Sequence, residues 1–438
     1  MTTLKQRLPH IAFISFLVLV CLYSLHIGVL PFVNPDTTQY VNGSAFRAPV
    51  YPAFLHMDML LTGNSHFYFV FIIQLLLGVI SSYYAGNTLK KLLDQPHWMG
   101  YLFTALFLIP YFFGDYKFAN RLLSEGLCYP LYLIGFSQLL LGLVEKKIKP
   151  LLIFSATLYL MVLTRPQLMF LYPISFFAWL YVTIHFNISR LAKCLLLTGL
   201  ILVIGSTMIT DRLYHYIKHG HFASEPALGI SLAIAPLYLS QPSDAALFHS
   251  THQKELFTKL YEQLSQRKTN INFYSQSHSE NIYYNFAGSF NIITWDIIYQ
   301  TFKNNHQSNW YHINSQLLSM DFILLKAHWK KYISLWFFAV KEKMGGYYWL
   351  LFYLLLLGFC ILKTFTSNHN KIPTLITFIL LASFANYCST ALVEVIIRRY
   401  SSYTESFQLC LMLGLMFLIL SHTSKIRALT KPYKHLPT

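Results

Sequence analysis

Charge is scarce in this chain: only 11% of its 438 residues are Asp, Glu, Lys or Arg, while 55% are hydrophobic. Soluble domains carry about 25% charged residues, so a chain this poor in charge is a membrane protein. Acids are scarcer than bases, 17 against 33, and the formal net charge is +16. Nucleic acid would need those bases on one soluble face. Many lie instead in short segments beside apolar runs, where topology and anionic lipid account for them. Cysteine is sparse too. Cys21, Cys128, Cys194, Cys360, Cys388 and Cys410 all sit within apolar runs, with no CxxC spacing. That excludes a disulfide framework and a cysteine zinc site. There is no glycine-rich phosphate loop, internal repeat or low-complexity tract. The apolar stretch after Lys5 and Arg7 has no small-x-small cleavage site. It is too long for a signal-peptide core and reads as a retained first helix.

What is present is a series of apolar runs. About twenty residues cross the hydrocarbon, and spans are expected near 11–33, 67–88, 98–114, 124–144, 150–164, 167–186, 194–212, 347–363, 373–393 and 405–422. Aromatics make up 17% of the chain, as interfacial belts of Tyr and Trp require. With the N-terminus inside, the inner segments hold 15 Lys and Arg and the short outer ones hold 6. Ten spans with both termini cytoplasmic satisfy the positive-inside rule. The acids run the other way: only Asp94 and Glu145 fall inside, leaving 15 of 17 outside or at the outer edge. The fold class is all-α and polytopic, in three parts: a transmembrane module over 1–212, an extracytoplasmic insertion over 213–346 and C-terminal transmembrane helices over 347–438.

The insertion opens with YHYIKHGH, which sets His215 and His219 four apart with His221 close behind. Such a pair can bind zinc, but the acid of an HExxH motif is missing, so solvated histidines are expected. A helix is expected from Asp244 to Lys268, then an irregular Asn-, Ser- and Tyr-rich stretch over 269–316. From Asp321, apolar residues recur at three and four with lysines interleaved. This reads either as a basic amphipathic helix on the membrane surface or as packing beneath the insertion.

The first outer segment, PDTTQYVNGSAFRAPVYPAFL (35–55), carries Asp36, the only acid before Asp58, and then Arg47, Pro49, Tyr51 and Pro52. Ionisable groups at a membrane edge are costly and are usually retained for chemistry or transport. A capping Asp in an ordinary interfacial loop is the bland alternative. Three further stretches keep step with it. RLLSEGLCYPLYLIGFSQLLLGLVEKK opens the fourth span with Glu125; LLIFSATLYLMVLTRPQLMFLYP ends the fifth with Arg165-Pro166; VIIRRYSSYTESFQLCLMLGL places Arg398, Arg399 and Tyr400 before the last.

This ordering resembles the GT-C superfamily of integral membrane glycosyltransferases, in particular the branch of protein O-mannosyltransferases and lipid A aminoarabinose transferases. The resemblance spans residues 10–210 and, more weakly, 373–420. It implies a sugar donor carried on a polyprenyl phosphate, an extracytoplasmic acceptor (lipid, glycan or protein), inverting transfer, and a place in the cytoplasmic membrane with the site facing outward. It implies a catalytic role for Asp36, as base or its orienter, and for Glu125. Arg165, Arg398 and Tyr400 match positions of the lipid-phosphate pocket; Arg47, Tyr51, Asp115 and Arg399 are further candidates for substrate binding. Many members carry paired acids where this chain has Asp36-Thr37-Thr38. One carboxylate with two hydroxyls is a poor hard-cation site, so no cofactor is expected and a divalent cation has little support. The chemistry needs a base for the acceptor proton and guanidinium groups for the departing phosphate. Partial removal from water is expected to raise the basicity of Asp36. Two other readings stay open: an O-antigen-type polymerase or ligase, and a transporter or flippase.

Overall fold

A computed structural model describes residues 2–30, 35–63, 67–114, 117–274, 279–304, 309–367, 371–395 and 398–429. Among these residues every regular element is helical. Apolar composition dictates that outcome, because a segment in hydrocarbon must satisfy its own backbone N–H and C=O groups. In chain order the α-helices are α1 (Thr2–Ile27), α2 (Pro35–Val41), α3 (Val50–Thr62), α4 (Tyr68–Leu92), α5 (His97–Leu108), α6 (Glu125–Glu145), α7 (Ile148–Thr164), α8 (Leu171–His185) and α9 (Arg190–His219). They continue with α10 (Leu228–Leu239), α11 (Thr251–Gln266), α12 (Ser279–Asn291), α13 (Gln300–Asn304), α14 (Trp310–Lys343), α15 (Tyr347–Thr366), α16 (Lys371–Val393) and α17 (Arg398–Leu429).

Among the described residues, eight helical segments are long and apolar enough to cross a membrane. They are Pro9–Ile27, Tyr68–Leu92, Glu125–Glu145, Pro166–His185, Arg190–His219, Tyr347–Thr366, Lys371–Val393 and Arg399–Ser421. The expected spans at 98–114 and 150–164 correspond to shorter apolar helices, His97–Phe113 and Ile148–Thr164. The protein is an integral membrane protein.

Two boundaries differ from the sequence reading. The first span is expected to reach Val33, but α1 stops at Ile27. Asn120 Nδ2 takes its final carbonyls, donating to Ser24 O and Gly28 O at 2.8 Å each. At the expected boundary of 212, by contrast, α9 continues unbroken to His219. The stretch over 269–316 is largely helical rather than irregular. Its buried Tyr283, Phe286, Ile293, Ile297 and Phe302 recur at helical spacing, a signal masked by the polar residues between them.

The membrane helices share one core, in which Phe407 of α17 lies 4.8 Å from Phe107 of α5 and 5.0 Å from Phe136 of α6, centroid to centroid. The insertion has its own core, built from α10, α11, the π-helical segment Ile292–Tyr299 and α14 around Ile234, Leu260, Ile297 and Leu317. In helix α14, Leu317 and Leu324 are buried, while Phe322, Trp329 and Ile333 remain exposed. At one end of the bundle Glu145 pairs with Lys91 and Lys147, and Asp94 pairs with Lys371 at 2.6 Å. The remaining charged side chains of interest meet at the opposite end.

Candidate functional site

The segment between α1 and α4 forms two helices rather than a loop. Asp36 occupies the first turn of α2, where a carboxylate complements the helix dipole. Tyr40 follows one turn later. The chain then reverses at Gly43, whose φ of +57° suits a residue without a Cβ. Ser44 N–H donates back to Gln39 O at 2.8 Å, closing the turn. The reversal lays Arg47 across α2. Its Nη2 donates to Asp36 Oδ1 at 2.6 Å and its Nε to Gln39 Oε1 at 3.0 Å, with the guanidinium 4.5 Å from the Tyr40 ring centre.

Three helix ends converge on this platform. Arg399, at the start of α17, donates from Nη1 to the other Asp36 oxygen at 2.6 Å. The same guanidinium donates from Nη2 to Glu125 Oε2 at 3.2 Å and from Nε to Glu125 Oε1. Arg165, just past α7, pairs with Glu125 Oε1 at 2.6 Å and donates to Ser124 Oγ at 3.1 Å. Ser124 Oγ in turn lies 2.8 Å from Tyr40 OH. The result is an alternating chain, Arg47–Asp36–Arg399–Glu125–Arg165, of three cations and two anions. The Glu125 side chain is fully buried, whereas Asp36 and Arg47 remain 23% and 19% exposed. The network therefore opens on its Asp36–Arg47 side.

Local packing fixes the buried end. Glu125 is followed by Gly126, where an added Cβ would fall 2.5 Å from Gln74 Cδ. Gln74 cannot easily yield, because it accepts from Tyr51 OH at 2.8 Å and donates to the Arg121 carbonyl at 3.2 Å. On the other flank, Gln167 accepts from Arg165 Nε at 3.0 Å and donates to Asn386 Oδ1 at 3.2 Å, tying Arg165 to α16. The Tyr400 ring lies 5.0 Å from the Arg165 guanidinium, and its hydroxyl donates to Glu394 Oε1 at 2.6 Å.

The electrostatics reverse one expectation. Burial pushes the Asp36 carboxyl up, but Arg47 and Arg399 outweigh it and hold Asp36 below its ordinary value. In this arrangement Asp36 is an ionised, weak base. Half-buried Glu225, between α9 and α10, behaves oppositely. Burial and the neighbouring Asp211 push it up to about 7 against the pull of Arg47 and Arg165.

Of the residues singled out from sequence, Asp36, Arg47, Glu125, Arg165, Arg399 and Tyr400 come together. Tyr51 sits behind the network, fully buried against Tyr40 and bonded to Gln74. Asp115 lies outside the described residues, as does the side chain of Arg398. Sequence reasoning passed over Tyr40, Ser124, Gln167 and Asn386. A polar Asn towards the end of the apolar run over 373–393 is the one available sign. Among the described residues no three His, Cys, Asp or Glu side chains are grouped to hold a metal ion. A cation at Asp36 would have to displace a guanidinium from each oxygen. The chain matches no protein-family model, no curated protein and no solved structure.

Proposed function

We propose that this protein is a membrane glycosyltransferase. It takes a sugar from a polyprenyl-phosphate donor and passes it to an acceptor on the outer face of the cytoplasmic membrane. In this reading α5 with its π-helical extension and α7 complete ten spans, and both termini are cytoplasmic. One observation carries the proposal: three arginines, from the turn after α2, the end of α7 and the start of α17, meet two carboxylates at one end of the bundle. Within that five-residue network the arginines outnumber the carboxylates by one beside a partly open edge, with Glu225 and Glu394 also within electrostatic reach of the arginines. Guanidinium groups match phosphate oxygens bidentately, and such a surplus suits an anionic phosphate held at a membrane surface.

The chemistry follows from the layout. The donor phosphate enters on the open side and draws Arg47 and Arg399 towards its oxygens. Asp36, relieved of those cations, regains proton affinity. The acceptor hydroxyl attacks the anomeric carbon, the bond from that carbon to the phosphate oxygen breaks, and polyprenyl phosphate departs with the electron pair. The acceptor proton goes to Asp36. Glu125, fully buried between Arg165 and Arg399, anchors the arginines and does not handle protons. A polymerase or ligase relying on arginines of the insertion is disfavoured, because Arg267 is half-exposed and pairs with Asp296 at 3.4 Å.

Membranes containing the wild-type chain should transfer label from at least one of a panel of radiolabelled polyprenyl-phosphate hexoses to endogenous acceptors. Arg165→Gln membranes should not. Absence of transfer from every donor, with the chain folded and present, would dispose of the reading.

A further inference from the structure

Helix α14 divides its residues between two faces. Leu317, Leu324 and Leu335 are buried in the core of the insertion. Phe322, Lys326, Trp329, Ile333 and Phe337 recur at helical spacing on the other side, and all are exposed. Exposure of 62% at Phe322, 56% at Trp329 and 48% at Ile333 makes one apolar row of these side chains rather than a scatter of surface residues. The face also changes character along its length. Exposed Ser315 and Ser319 open it, Lys326, Trp329 and Lys330 occupy its middle, and Ile333 and Phe337 close it. Lys330 Nζ lies 5.8 Å from the Trp329 ring centre. The closing end is fastened to the membrane helices. Trp336 Nε1 donates to Cys388 O of α16 at 2.9 Å, Tyr332 OH donates to Leu392 O, and Lys343 pairs with Glu405 of α17 at 2.6 Å. After Gly345 and Gly346 the chain enters α15, an apolar segment long enough to span, which opens on exposed Tyr347, Tyr348 and Trp349.

We propose that the exposed face of α14 dips into the leaflet at this end of the bundle, with Lys326 and Lys330 holding the phosphates of anionic phospholipids and Trp329, Ile333 and Phe337 seated beneath them. The order along the face carries the inference. Polar, then basic and aromatic, then apolar is the sequence of water, headgroups and acyl chains. Continuity supports it, because the same helix end leads directly into a span with an aromatic collar. Charge supports it as well. Lys341 and Lys343 are answered by Glu342 and Glu405, whereas Lys326 and Lys330 pair with no carboxylate among the described residues. No acid lies anywhere from Phe322 to Phe337. A second copy of the chain would set lysine against lysine across this strip, while anionic headgroups complement it. The core of the insertion is built on the opposite face of α14, so lipid bound here holds the insertion at the membrane. The inference rests on the membrane reading of the chain and is independent of the transferase reading.

The test places an NBD fluorophore at Ile333→Cys in a cysteine-free full-length chain, reconstituted in nanodiscs of dioleoyl phosphatidylcholine and dioleoyl phosphatidylglycerol. Phosphatidylglycerol or phosphatidylcholine carrying a nitroxide high on one acyl chain is then added at equal fractions. Both lipids should quench the fluorophore, and the anionic one at least twofold more strongly. Lys326→Gln combined with Lys330→Gln should remove that preference, and Lys259→Gln, on exposed α11, should keep it. The same fluorophore at Ser319→Cys should be quenched much less by either lipid. An Ile333→Cys label that neither lipid quenches overturns the proposal, and disulfide formation between copies through that cysteine would identify the strip as a contact between chains. Equal quenching by the two lipids, or a preference that survives loss of both lysines, overturns the phosphate site.

Discussion

Arg399 Nη1 lies 2.6 Å from Asp36 Oδ2, joining the first interhelical segment to the last long helix across 363 positions of sequence. The same guanidinium holds Glu125. One side chain thus fixes two carboxylates that stand on different helices.

Arg399→Ala should therefore be more damaging than loss of a surface arginine. It leaves Glu125 buried with Arg165 as its single ion-pair partner, and removing one member of a buried pair costs about 3–5 kcal/mol. Arg399→Lys keeps the charge but lacks the planar fork, so it should recover part of that stability and little transfer. Melting followed by intrinsic fluorescence in detergent, alongside a transfer assay, separates the two effects. Equal melting temperatures for wild type and Arg399→Ala would show that the network does not hold the fold.

Gly126→Ala tests the packing beneath Glu125. The new methyl would meet Gln74 at 2.5 Å, and Gln74 is bonded on both its oxygen and its nitrogen. Overpacking of this kind costs about 1–3 kcal/mol. The variant should melt at lower temperature, and a second change, Gln74→Ala, should restore part of the loss by opening space. No rescue would mean that the clash is absorbed elsewhere.

Much of this arrangement was legible in the residues. Asp36, Arg47, Glu125, Arg165 and Arg399 stand out because charge is costly at the ends of apolar runs. Their partners did not stand out. Tyr40, Ser124 and Gln167 are ordinary residues in sequence and acquire roles only when three helix ends meet. The helices over 279–304 were hidden by Asn, Ser and Tyr on the solvent side of a buried apolar stripe. The basicity of Asp36 was misjudged for a related reason. Burial alone raises a carboxyl, and the opposing cations come from positions 47 and 399, whose convergence no local pattern announces.

Topology admits a direct test. Lys259 lies on an exposed face of α11 in the insertion. In a cysteine-free background, Lys259→Cys should react with an impermeant maleimide in intact cells or outward-facing vesicles. A cysteine at Lys146, at the end bearing the Lys91–Glu145 pair, should react after permeabilisation alone. The opposite pattern would place the arginine network in the cytoplasm and remove the case for a lipid-linked donor.

Asp321, on α14, is buried without a hydrogen-bond partner among the described residues, and burial pushes its carboxyl up to about 9. Its folded-state proton affinity exceeds that of the unfolded chain, whose carboxyl titrates near 4. Protonation therefore stabilises the fold: the contribution is fully present below about pH 4 and lost as pH rises through about 9. At pH 7 the cost of keeping this proton bound is up to roughly 4 kcal/mol, at 1.36 kcal/mol per unit. Melting temperature should fall between pH 6 and 9 in the wild type and fall less in Asp321→Asn. Parallel curves for the two proteins would show that this carboxyl is not the titrating group.

The proposed role of Asp36 makes the sharpest demand. In the free protein two guanidinium groups hold its carboxyl below the ordinary range. If donor phosphate draws those cations away, the proton affinity of Asp36 must rise on binding. The acid limb of kcat/KM reports the free enzyme, and that of kcat reports the donor complex. The kcat limb should therefore lie at higher pH than the kcat/KM limb. Asp36→Asn removes the proton acceptor while keeping size and most hydrogen bonds, so kcat should fall about 10²–10⁴-fold, the usual contribution of a positioned base. Donor affinity should change little or rise, because Arg47 and Arg399 are freed from a competing carboxylate. A capping Asp36 would behave otherwise, since Asn caps a helix as well as Asp. Undiminished kcat in the Asn variant would move Asp36 from chemistry to structure. Loss of donor affinity without change in kcat would instead make the network a binding platform whose base lies elsewhere, with Glu225 the next residue to replace.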